Sequence, residues 1–195
     1  MPDRLIDGSR RLLLAAATIV LAVAASASPS AAGPSPAFHW LQPRPAPHGW
    51  KLARLPSGHA TFGYPNTWRP IRTDPGTASV ALLGPRRSIR GYLNLTPRQG
   101  TETLANWPSF RIEHQSDEGS TEVRLIASAH HLVFRSGRGS CVIDSYRTSR
   151  ARYREIACLV AGARTSSVIV GAAPSQTWLQ HAATIGRAIA TLRTN

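Results

Sequence analysis

Cysteine is scarce in this chain of 195 residues, with Cys141 and Cys158 the only two. Neither lies near the start, which argues against an N-terminus carrying lipid on a cysteine. Lysine is scarcer still: Lys51 stands alone among 23 basic residues, so the positive charge is almost entirely guanidinium. Acidic residues number 10, leaving a formal charge of +13. No uncharged apolar run reaches the ~20 residues that a helix needs to cross a bilayer. The sequence has no Gly-x-Ser-x-Gly, and Ser140 follows Gly139 without the strand, turn and helix of a nucleophile elbow. The pairs His130-His131 and Glu113-His114 lack the i,i+4 or cysteine-interleaved spacing of zinc ligands. The common hydrolase and zinc signatures are therefore missing, and no metal or cofactor is expected.

What is present begins with export. Arg4, Arg10 and Arg11 precede a run of 16 uncharged residues, 12–27, built of Leu, Ile, Val, Ala, Thr and Ser. Positive charge followed by a short apolar core marks a signal peptide over residues 1–27, or an anchor if it stays uncleaved. Small residues at Ala25-Ser26-Ala27 and Ser30-Ala31-Ala32 place cleavage so that the mature chain starts between residues 28 and 33. Residues 28–48 are rich in Pro, Ala and Ser, a composition that stays extended and reads as a linker. Phe38 and Trp40 are the exceptions, able to dock on the folded body or on a membrane. The remaining stretch, 49–195, suits one domain with a sizeable core.

Short runs of β-branched and aromatic residues broken by turn residues predict strands at 59–64, 78–83, 89–95, 122–127, 131–135, 140–148, 151–160 and 166–172. Beyond Pro174, Trp178, Ala182, Ile185, Ile189 and Leu192 recur at helical spacing and predict an amphipathic helix, capped by Ser175 or by a Thr177/Gln180 box. A weaker helix is expected over 103–115, short or kinked because Pro108 interrupts it. The expected class is α+β: an antiparallel sheet of about six to eight strands with a C-terminal helix and a shorter mid-chain helix.

The strands 140–148 and 151–160 form a hairpin if the chain turns at Ser149-Arg150, and opposed residues then have numbers summing to 299. Cys141 faces Cys158 in that register, as a non-hydrogen-bonded pair whose Cα atoms lie about 4.5 Å apart, within reach of a disulfide. An exported chain permits the oxidation. Asp144 faces Glu155 on the other side of the sheet, and Tyr146 faces Tyr153. Like charges directly opposed are destabilising, so something compensates. The options are a bound cation, an acid/base pair of the glycosidase kind, or an arginine such as Arg111 or Arg124.

The segment Phe62-Gly63-Tyr64-Pro65-Asn66-Thr67-Trp68 resembles the opening of the PsbP-like α/β/α sandwich, and the final strand, Ala173-Pro174 and the Trp178 helix resemble its ending. Residues 91–100, Phe110-Arg111 and 139–144 further resemble a family of exported actinomycete proteins of unknown function. The likeness spans roughly residues 50–193 and implies the fold, with accessory or adaptor roles rather than one activity. The expected function is thus an exported, non-catalytic accessory domain of the cell envelope that binds a protein or envelope component. One alternative is an envelope enzyme using Asp144 and Glu155. The other is binding of anionic polymer or lipid headgroups through Arg86, Arg87 and Arg90, the tightest basic cluster. Nucleic acid is not an expected partner, and membrane contact is expected only through an uncleaved N-terminus.

Overall fold

The computed structural model describes residues 36–195. The expected signal peptide and residues 28–35 of the expected linker lie outside the described residues. Ten strands and two α-helices follow in the order β1 (Lys51–Arg54), β2 (Ala60–Tyr64), β3 (Arg69–Ile71), β4 (Ala78–Leu83), β5 (Ile89–Pro97), α1 (Trp107–Asp117), β6 (Thr121–Phe134), β7 (Gly137–Arg147), β8 (Arg152–Ala161), β9 (Ser166–Pro174), α2 (Trp178–Ile189) and β10 (Arg193–Thr194). Seven strands build one antiparallel sheet in the order β3-β4-β5-β9-β8-β7-β6, and β1-β2-β10 form a second, small sheet. The expected α+β class with an antiparallel sheet and two helices is what the chain adopts.

Strand periodicity divides the large sheet into two faces. Leu93, Leu95, Cys141, Ile143, Ile156, Cys158 and Ile169 point one way and pack with Phe62 and Tyr64 of the small sheet, Trp178, Ile185 and Ile189 of α2, Trp68 just before β3 and Leu192 just after α2. Val142, Ala157, Leu159, Val168 and Val170 point the other way and pack with Trp107 of α1. The result is a helix, a sheet, and a second layer of helix plus small sheet. Each fully buried large apolar side chain stabilises this by about 1.5–3 kcal/mol. At Gly171 of β9 an added Cβ would fall 2.3 Å from Ile185 Cγ2, so α2 sits tight on the strand because that position has no side chain.

Helix α2 buries the expected stripe, with Trp178, Ile185 and Ile189 inside. Its expected cap is not made: Thr177 occupies the N-cap without a side-chain bond to the helix, and a 3-10 turn, Ser175–Thr177, leads in. Helix α1 also departs from expectation. It starts at Trp107, so Pro108 falls in the first turn, where its missing N–H and fixed φ cost nothing, and the helix runs on unkinked to Asp117. The two strands expected at 122–127 and 131–135 are one long edge strand, β6, with three register shifts against β7 and left-handed residues at Glu122 and His131. Bulges of this kind blunt an exposed edge.

The described part of the expected linker is not an unpacked tether. Phe38 is 2% exposed, and Trp40 and Leu41 pack on the same core. Two positions without side chains seat this strap: Gly186 of α2 lies under Trp40, and Gly63 of β2 lies under Ala46. Arg44 N–H donates to Ala190 O at 3.3 Å. Burial of three apolar side chains outweighs the extended preference of the intervening prolines.

Candidate functional site

The hairpin β7–β8 has the register expected from its turn: Cys141 pairs with Cys158, Asp144 with Glu155 and Tyr146 with Tyr153. Cys141 and Cys158 are disulfide-bonded, with Cα atoms 4.1 Å apart, in the core beneath α2. Three residues further along the strand, parity turns Asp144 and Glu155 to the opposite face, under α1. The disulfide and the carboxylates thus belong to separate layers.

Both carboxylates are buried, Asp144 at 0% and Glu155 at 1% exposure. Arg111, one turn into α1, meets Glu155 alone: its Nε donates to Oε1 at 2.8 Å and its terminal nitrogen lies 2.6 Å from the same oxygen. Gln115, one turn later, donates to Oε2 at 3.2 Å and accepts from Ser120 Oγ at 3.1 Å. Residues i and i+4 share a helix face, which is why both reach one acid. Burial alone would lower the Arg111 pKa, but the adjoining Glu155 outweighs it and the guanidinium stays charged. Among the described residues neither oxygen of Asp144 has a hydrogen-bond partner. Burial first, and the Glu155 charge second, push its carboxyl up from 3.8 to about 8, with Arg111 pulling only weakly the other way. At neutral pH the cluster is therefore one ion pair beside a neutral acid. Among the alternatives raised by the facing carboxylates, the structure places Arg111 at the pair; Arg124 is exposed on β6.

Helix α1 lies over β6 and β7 and reaches β9 through Trp107, while among the described residues the same face of β5, at Tyr92, Asn94 and Thr96, stays half-exposed. Between them is a cleft of about 890 Å³. Tyr92, Asn94 and Thr96 of β5 and Val168 and Val170 of β9 form its floor, with Glu155 and Tyr146 at one side. Phe110, Arg111, His114, Gln115 and Glu118 form the helical wall. Trp107, Phe110 and His114 stack successively, at centroid distances of 6.1 and 5.8 Å. Trp107 fixes the wall to the sheet by donating its Nε1–H to Ala157 O at 3.0 Å. Buried Glu102 shapes the rim, accepting from the backbone N–H groups of Gln99 and Gly100 at 2.9 and 2.8 Å. Burial raises the pKa of both Tyr92 and Tyr146, so each phenol keeps its proton as a donor.

Sequence reasoning named Asp144, Glu155 and Arg111 but missed Trp107, Gln115, Ser120 and Glu102. The Arg111/Gln115 spacing was the available clue, since both fall on one face once the helix begins at Trp107. Arg86, Arg87 and Arg90 are placed elsewhere, at the exposed β4–β5 tip. His130 Nδ1 lies 2.9 Å from Leu104 O and 3.1 Å from Ser140 Oγ. A carbonyl only accepts, so Nδ1 carries the proton and is no base for Ser140, itself wholly buried. Among the described residues no three His, Cys, Asp or Glu side chains are placed to hold a metal ion.

No family model matches the chain, and no curated protein matches it by sequence. Solved structures do. The solution structure of cyanobacterial PsbP (CyanoP) from Synechocystis sp. PCC 6803 is similar with a TM-score of 0.52 at 11% identity, over 75% of this chain and 93% of that one. Looser likenesses are to LpqN, involved in cell envelope biogenesis of Mycobacterium tuberculosis, and to a Pseudomonas aeruginosa protein of unknown function. The first has a TM-score of 0.40 at 12% identity, over 79% of this chain and 91% of the other. The second has a TM-score of 0.44 at 9% identity, over 75% and 97%. The fold of this chain is PsbP-like.

Proposed function

We propose that this protein is an exported, non-catalytic accessory domain of the cell envelope that seats a protein segment or envelope component in the cleft between α1 and the β5–β9 face. The observation that carries the reading is the half-exposed β5 side of the sheet, left as one wall of a cleft beside α1. A helix positioned by Trp107 and by the Arg111–Glu155 pair leaves a preformed, aromatic-walled concavity with amide, hydroxyl and phenol donors, the usual character of a binding site. The apolar run at 12–27 and the disulfide support an oxidising compartment. The enzyme reading through Asp144 and Glu155 fares worse on chemical grounds. Asp144 has no exposed surface with which to touch a substrate, and both Glu155 oxygens are engaged, so neither is free to exchange a proton at a reacting atom.

The test is chemical cross-linking in the native envelope, comparing the wild type with Thr96→Trp, which fills the cleft floor. A discrete adduct that disappears in the variant is expected. An adduct indifferent to the substitution refutes the cleft as the seat, and turnover of an envelope substrate abolished by Glu155→Gln refutes the non-catalytic reading.

A further inference from the structure

The tip of the β4–β5 hairpin holds Arg86 and Arg87, and Arg90 follows at the start of β5; all three are exposed. The stretch from 75 to 101 contains no acidic residue. Among the described residues the ion pairs involve Arg111, His114, Arg147 and Arg152, so these three guanidiniums are unneutralised. Between them Ile89 leaves 40% of its surface in water. The tip is a closed turn rather than a loose loop: Gly84 N–H donates to Ser88 O at 2.8 Å, Arg87 N–H to Gly84 O at 3.1 Å and Ser88 N–H to Pro85 O at 3.1 Å. Arg86 and Arg87 hold φ of 52° and 60°, a left-handed region that residues with a Cβ seldom adopt. Those bonds fix the two arginines side by side before any ligand arrives, which lowers the ordering cost of binding.

We propose that this tip docks on a surface of anionic lipid headgroups, with Arg86, Arg87 and Arg90 engaging lipid phosphates and Ile89 entering the interfacial layer. Guanidinium forks match phosphate geometry, and an apolar side chain flanked by cations suits a surface that is charged outside and apolar beneath. A soluble acidic polymer matches the arginines but offers Ile89 nothing, so the lipid surface accounts for more of the tip. The site is separate from the cleft and stands whether or not the cleft binds a partner.

The experiment is co-sedimentation of the full chain with vesicles of 30% phosphatidylglycerol in phosphatidylcholine, and with pure phosphatidylcholine vesicles. The N-terminal segment is identical in every variant, so differences between variants belong to the tip. At about fivefold per arginine near an anionic surface, Arg86→Gln/Arg87→Gln/Arg90→Gln together lower affinity for the anionic vesicles by roughly 100-fold. Ile89→Ser lowers it by roughly threefold to fivefold without changing binding to soluble polyglutamate. Both variants keep the wild-type thermal midpoint, because none of the four side chains is in the core. Undiminished vesicle binding by the triple variant overturns the proposal. A triple variant that loses polyglutamate binding, while Ile89→Ser leaves vesicle binding intact, replaces the lipid with an acidic polymer.

Discussion

Replacing Asp144 by Asn should make the protein more stable at neutral pH and not at acid pH. The carboxyl is wholly buried, has no hydrogen-bond partner among the described residues and faces Glu155, the ion-pair partner of Arg111. Its pKa in the folded state is about 8, against 3.8 for the free group. Between those values the folded chain holds a proton that the unfolded chain has released, so stability falls as pH rises through the window. The contribution is fully present below about pH 4 and is lost progressively up to about pH 8. With one proton taken up on folding, the slope approaches ~1.4 kcal/mol per pH unit, on the order of 3 kcal/mol between pH 5 and pH 7. Asparagine has the same shape and no titration, so the difference in stability between variant and wild type should grow with pH over this range. At roughly 2–4 °C per kcal/mol for a chain of this size, the midpoint difference should widen by about 6–12 °C. Thermal unfolding followed by near-ultraviolet circular dichroism at half-unit steps from pH 4 to pH 8 measures it. A difference that is flat with pH refutes the reasoning, because Asp144 would then be equally protonated, or equally ionised, in both states.

Arg111→Met should destabilise by about 3–5 kcal/mol, since it strands the Glu155 charge in the interior, and the double variant Arg111→Met/Glu155→Gln should recover much of the loss. Urea denaturation of the four-member cycle checks this; additive effects would mean that the pair is not coupled. Cys141→Ser/Cys158→Ser should cost up to ~3 kcal/mol. Reductant should then lower the urea midpoint of the wild type but leave the variant unchanged. Gly63→Val should destabilise by about 1–3 kcal/mol, because a Cβ there would fall 2.6 Å from Ala46 Cβ and push the strap outward. Faster amide exchange at Arg44, whose N–H bonds Ala190, would accompany it, and unchanged exchange would show that the strap had not moved.

The hairpin register was legible because a two-residue turn and a period of two leave no freedom: once Ser149-Arg150 is the turn, Cys141–Cys158 and Asp144–Glu155 follow together. The α2 stripe was legible for the same reason, Trp178, Ile185 and Ile189 repeating with the helix. The start of α1 was misjudged because a proline looks like a breaker until its position relative to the first turn is known. Strands β1, β3 and β10 have two to four residues, too few for a local period to mark them, and β10 pairs with β2 from far along the chain. Phe38 and Trp40 stood out in a proline-rich tract, but Trp40's seat at Gly186 and the burial of Phe38 in the core are tertiary facts. The cleft was invisible because it is an absence, the part of a sheet face that α1 does not cover.

The central claim is that this half-exposed cleft is where the protein meets its partner. A photoreactive amino acid placed at Thr96, on the cleft floor, and separately at Leu179, 88% exposed on α2, tests it in the intact envelope. Irradiation should give one discrete adduct from position 96 and none from position 179. An adduct from position 179 with none from 96 would contradict the account.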